Sequence, residues 1–262
     1  MENGISLYPG LDNTPDENLA LLERAAQAGI RRVFTSLHIP ETDVAALKQE
    51  IGSLLRAARR HHMEVISDVS PATCKLLDLP EFNPASFRML GITTLRLDYG
   101  FYAEEMARLT HRFPEMRFQL NASTITNRIL KDLQDAGTDF SHIDALHNFY
   151  PRRGTGLSEP ALVHANILLH RYGIRVGAFV ASQGRRRSPL GDGLPTLEEH
   201  RDETAELSAR HLVALGCDSV FLADSLPTDE EIQAIGQLPG DQLTLHAHYT
   251  TKDPIQRELL AH

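Results

Sequence analysis

Three carboxylates, Glu41, Asp68 and Asp98, each stand at or just past the end of a short β-rich run. Three consecutive arginines, Arg185, Arg186 and Arg187, stand in "FVASQGRRRSPLGDGLPTLEEHR", between such a run and a helix-like segment. Carboxylates crowded into one cleft raise at least one pKa, which keeps an acid beside a base near neutral pH. The same three could instead hold a divalent metal, with His38 or His147 as a further ligand. The arginines lie among Gly184, Ser188, Pro189, Gly191, Gly193 and Pro195, so they belong to a loop and not to a solvated helix face. In "GLPTLEEHR", Thr196 and Glu199 have the spacing of a capping box, which would turn the positive end of a helix toward the arginines. That loop is suited to phosphate. A second basic turn, "YPRRGTG", brings Arg152 and Arg153 toward the same or a neighbouring anion.

The elements that must position these groups alternate along the chain. β-rich runs lie at 4–8, 32–37, 64–69, 93–99, 117–122, 143–149, 175–181 and 219–224, separated by amphipathic stretches such as "ENLALLERAAQAG". The third connection, interrupted by Pro80 and Pro84, reads as a short helix plus a loop. Eight strand–helix units close a parallel (β/α)8 barrel. An open doubly wound sheet is the weaker alternative, because no GxGxxG turn follows the first strand. Domain limits follow: residues 1–240 form a TIM-type barrel, and 241–262 begin a linker or a truncated second domain, with a ninth strand-like run in "DQLTLHAHY".

In such a barrel, chemistry sits at the C-terminal ends of the strands. The polar residues there are Tyr8 with Asp12, His38 with Glu41, Asp68, Asp98, Asn121, His147 with Asn148, Gln183 with the arginines, and Asp224. Asp224 and Ser225 also read as simple caps for a helix starting near Pro227. The chain has 262 residues, 42% hydrophobic and 23% charged, with a net charge of -9, which disfavours nucleic-acid and anionic-membrane partners. Cys74 and Cys217 show no CxxC spacing, and no membrane-length apolar run or basic leader is present, so a soluble cytoplasmic protein is expected. No HExxH, GxSxG or P-loop sequence occurs, and no cofactor is expected.

"GISLYPG", "FTSLHIPE", "DVSP", "LRLDYGF", "LNAST", "HNFYPRRGTGLS" and "PLGDGLPTLEEHR" together resemble the bacterial 6-phospho-N-acetylmuramidases of the MupG type. The resemblance implies a TIM barrel followed by a cyclophilin-like β domain, here absent or truncated. It also implies cytoplasmic hydrolysis of 6-phospho-N-acetylmuramic acid linked to N-acetylglucosamine during cell-wall recycling. "YPRRG" and "SQGRRRSPLG" are more basic than the usual family pattern.

The expected roles are then specific. Glu41 is the general acid, aimed by Pro40 and placed beside Ile39. Its partner is Asp98, two strands away at roughly 9–10 Å and suited to inversion, or Asp68, one strand away at ~5 Å and suited to retention. Tyr8, His38, Asn121, His147, Asn148, Arg152 and Gln183 bind the sugar, and Gly184 with Arg185, Arg186 and Arg187 binds phosphate, through Arg186 or Arg187 above all. The only partner expected is a small phosphorylated sugar, and self-association is left open. Another phosphosugar enzyme, or a non-catalytic phosphosugar sensor, would use the same barrel. No lysine closes a strand to form a Schiff base.

Overall fold

The computed structural model describes residues 1–36, 43–69, 73–74, 81–97, 102–240, 242, 248 and 250–260. Eight parallel strands close a barrel in chain order: β1 (Gly4–Leu7), β2 (Arg32–Thr35), β3 (Glu64–Val69), β4 (Thr94–Leu97), β5 (Arg117–Asn121), β6 (Ile143–Leu146), β7 (Arg175–Val180) and β8 (Ser219–Leu222). Each strand has a helix after it: α1 (Pro15–Gln27), α2 (Val44–Arg60), α3 (Pro84–Leu90), α4 (Ala103–Arg112), α5 (Asn127–Asp135), α6 (Glu159–His170), α7 (Ala205–Ala214) and α8 (Asp229–Gly236). A final short helix, α9, spans Pro254–Leu260. The fold is a (β/α)8 TIM barrel, and β8 closes on β1 with Phe221 beside Gly4.

Local chemistry starts the helices where the turns leave them. Thr14 and Glu17 form a capping box on α1, with Pro15 in its first turn, and Thr228 and Glu231 form another on α8. Such caps contribute about 1 kcal/mol each. Two expected caps are corrected. Thr196 caps nothing: its hydroxyl donates to the Asn148 carbonyl and accepts from the Phe179 amide, and only a 3-10 turn, Glu198–His200, follows. The helix proper begins at Ala205 behind Thr204, so the expected capping box at Thr196 and Glu199 does not form. Nor do Asp224 and Ser225 cap α8, which Thr228 does.

Two apolar layers follow from the two faces of each strand. Outward residues such as Val33, Val65, Leu95 and Val176 pack under the helices. Inward ones, Phe34, Ile66, Leu146, Phe179 and Phe221, plug the barrel at mid-height. The Phe221 ring occupies the room that a Cβ on Gly4 would take, only 2.2 Å from that position. Below the plug lies a floor of charge. Arg32 pairs with Glu64 and Asp144, Gln119 donates to Asp144 at 3.0 Å, and Thr94 donates to Glu64. Above it is the mouth.

Candidate functional site at the barrel mouth

Glu41, Asp98 and His38 lie outside the described residues, as does most of the ninth strand-like run. Asp68 is described, at the end of β3 and in register with Arg96 on β4. The sequence suggests a crowd of like charges there. Asp68 faces a buried cation, the Arg96 Nε, 3.7 Å from its Oδ1, and the other two carboxylates lie outside the described residues. Arg96 crosses over the Phe34 ring and donates to the Asn148 side-chain oxygen at 2.5 Å. Strand alternation is the signal that reveals Arg96, since 94 and 96 share the inward face of β4.

The three consecutive arginines have three different fates. Arg185 reaches back to α1, where it pairs with Glu17 at 2.9 Å and donates to the Asn13 side chain. Its guanidinium, together with the Thr14 amide, holds the Glu17 carboxyl down to about 2. Arg186 folds into its own loop, donating to the carbonyls of Ser182, Asp192 and Arg201 at 3.0–3.2 Å. Arg187 is different. The residue is only 9% exposed, yet among the described residues its guanidinium has no hydrogen-bond or ion-pair partner. It lies instead between two aromatic faces, 5.1 Å from the Tyr8 ring centre and 4.9 Å from that of Phe149.

What holds Arg187 there is a set of carboxylates bound to backbone. Asp224, fully buried at the end of β8, accepts from the amides of Ser182 and Arg187. Burial raises its pKa despite those two bonds. Asp12 accepts from the Ser188 amide at 3.0 Å and the Ser225 hydroxyl at 2.5 Å. Burial works against its charge, but these bonds and the nearby Arg187 outweigh it, and its carboxyl sits below the usual range. Glu231 of α8 accepts from the Ser182 hydroxyl and the Gln183 amide. Gly184 lets the two loops touch, because a Cβ there would fall 2.3 Å from the Leu226 carbonyl.

The second basic turn is fixed by a wholly buried arginine. Arg201, 1% exposed, donates to Glu198 and to the carbonyls of Tyr150, Arg152 and Gly193, tying the β6 loop to the β7 loop. Arg201, with the Gly154 and Gly156 amides, holds Glu198 down to about 2. Arg153 is bound to Asp202 at 2.6 Å, whereas Arg152 is exposed and has no side-chain partner among the described residues.

Other expected sugar contacts divide. Asn148 stands at the mouth against Arg96, Asn121 caps the turn after β5, and Gln183 is exposed on the arginine loop. Tyr8 presents a ring and not a hydroxyl, since its Oη donates to the Ala223 carbonyl at 2.6 Å and burial raises its pKa. His147 is fully buried, with one ring nitrogen on Ser123 and the other on Asn166 of α6. Burial pushes it down to about 4, so it is a neutral strut behind the mouth. Phe149, one of the two faces holding Arg187, is a site residue that the sequence reading placed only as the end of a strand.

A closed eight-stranded parallel barrel, with Arg187 held between the Tyr8 and Phe149 rings past the C-terminal ends of its strands, defines a TIM-barrel protein. More specifically, the chain belongs to the family described as 6-phospho-N-acetylmuramidase, N-terminal, whose profile matches residues 3–237. A crystal structure of an uncharacterized B. cereus protein is similar at 31% identity and a TM-score of 0.83, over 98% of this chain and 72% of that one. A conserved Enterococcus faecalis protein of unknown function is similar at 31% identity and a TM-score of 0.79, over 91% of this chain and 66% of that one. The chain thus spans about two thirds to three quarters of these relatives. Phospho-2-dehydro-3-deoxyheptonate aldolase from Thermotoga maritima shares only the fold, at 12% identity and a TM-score of 0.54, over 90% of this chain and 67% of that one. No curated protein matches the chain. Among the described residues no helix is long and apolar enough to cross a membrane.

Proposed function

We propose that this barrel carries the active site of a glycoside hydrolase that cleaves 6-phospho-N-acetylmuramic acid from N-acetylglucosamine in the cytoplasm, as part of cell-wall recycling. The observation that carries the reading is Arg187, a largely buried side chain held between two rings, whose guanidinium has no hydrogen-bond or ion-pair partner among the described residues. Burying a charge without a partner is costly, and a ligand anion restores the balance. Phosphate matches a guanidinium edge through paired charge-assisted hydrogen bonds. The family description supports the 6-phosphate of the sugar as that anion. Gly184, Arg185 and Arg186 then shape the loop, and Arg187 makes the contact. Arg152, exposed on the neighbouring turn, would meet the lactyl carboxylate.

Cleavage needs a proton donor to the leaving sugar and a charged carboxylate on the other side of the bond. Glu41 takes the first role. Asp68, with Arg96 as its counter-ion, or Asp98 takes the second. The direct test is to mix the protein with the phosphorylated disaccharide and follow release of N-acetylglucosamine. Release supports the hydrolase. Binding without release indicates a sensor, and conversion of free phosphosugar without glycosidic cleavage indicates a different enzyme on the same barrel.

A further inference from the structure

Away from the mouth, on the outer rim between α6 and α7, two histidines face each other. His200 Nε2 and His211 Nδ1 are 2.9 Å apart, and the Glu199 carboxylate lies 3.8 Å from the same His211 nitrogen. All three ligand atoms fall within 4.8 Å of one another, the one such group of three among the described residues. Nothing in the proposed sugar chemistry uses them.

We propose that Glu199, His200 and His211 form a binding site for a divalent transition-metal ion, zinc by preference. Zinc takes imidazole nitrogen and carboxylate oxygen at ~2.0–2.2 Å in a tetrahedron, which puts neighbouring ligand atoms ~3.3–3.5 Å apart. The observed 2.9 and 3.8 Å lie on either side of that separation and all three ligand atoms stay within 4.8 Å, so side-chain shifts of about an ångström complete the site. The cation takes the place of the hydrogen bond between the rings.

Two features direct the ligand atoms. The far nitrogen of His200 is buried without a partner, leaving Nε2 as its open face. The far nitrogen of His211 has the Glu159 carboxylate 3.6 Å away, the outer-shell carboxylate that metal-bound histidines commonly use to fix ring orientation. The backbone is already set. His200 is 3% exposed in a 3-10 turn and is followed directly by Arg201, the buried clamp of the β6 and β7 loops. Glu199 and the rim of His211 are open to solvent, which leaves the fourth position for water. A bound ion would brace that clamp from behind.

The test uses tag-free protein stripped with a chelator and titrated with Zn²⁺, and separately with Co²⁺ for its tetrahedral absorption bands. One equivalent of tight binding with those bands is expected. His211→Gln and Glu199→Gln each weaken it by ~100-fold or more, and Glu159→Gln by ~10-fold, the size of an outer-shell effect. Glu199 is exposed, so its variant reports on the site even if His211→Gln fails to fold. No binding, or one equivalent that persists unchanged in both ligand variants, overturns the proposal. Neither readout depends on hydrolysis, so the two proposals stand or fall separately.

Discussion

The floor and the mouth of this barrel treat buried arginine in opposite ways. At the floor, Arg32 is enclosed by Glu64 and Asp144, and Gln119 and Thr94 occupy the remaining carboxylate oxygens. At the mouth, Arg187 is buried to a similar degree, but aromatic rings stand where the carboxylates would be. Asp12 and Asp224 are both close, yet both direct their oxygens to the Ser188, Ser225, Ser182 and Arg187 backbone or hydroxyl groups. A structural arginine is neutralised within the fold. Arg187, which we propose meets the ligand, is positioned with no ion-pair partner among the described residues, and the nearby carboxylates are occupied in holding its loop.

Breaking the floor should have the largest effect. Asp144→Ala leaves Arg32 with half its counter-charge and is expected to cost roughly 3–5 kcal/mol of stability, the range for breaking a buried ion pair. Denaturant titration checks it. Arg187→Met should change stability by less than about 1 kcal/mol in either direction, because it removes a desolvated charge and two cation–π contacts that roughly offset. A loss at Arg187 as large as that at Asp144 would erase the contrast.

The strut behind the mouth sharpens the comparison through pH. His147 is held near 4 against an ordinary 6.5, so the unfolded chain binds the proton first. Its contribution is therefore present above pH 6.5 and is lost as pH falls toward 4, by about 3 kcal/mol in total. In urea unfolding followed across that window, His147→Gln should flatten the slope.

Turnover should respond next. Glu41→Gln is expected to lower kcat by at least ~100-fold with binding largely kept, the size of losing a general acid. Near-normal turnover would remove Glu41 from the mechanism and favour a sensor or a metal-assisted reaction.

How far the sequence reveals all this depends on the range of the signal. The β3 range coincides with 64–69 because hydrophobic alternation and a polar terminus are local. β6 stops at Leu146, three residues early, because His147 turns its ring to α6 and Phe149 turns to Arg187. Both are tertiary choices. The Thr196 capping pattern fails for the same reason: its hydroxyl is taken by Asn148 and Phe179. Arg185, Arg186 and Arg187 are indistinguishable as letters. What separates them is Glu17, 168 positions away, and a set of carbonyls and rings that only the fold assembles.

The central claim rests on Arg187 as the reader of a phosphate, and one comparison tests it most directly. Hydrolysis of the 6-phosphorylated disaccharide and of its unphosphorylated analogue would be measured for the parent protein and for Arg187→Met. Loss of one charge-assisted phosphate contact, about 1.5–3 kcal/mol, predicts a fall of roughly 10- to 100-fold in kcat/KM, carried mainly by KM, on the phosphorylated substrate alone. An equal fall on both substrates, or none on either, would contradict the account.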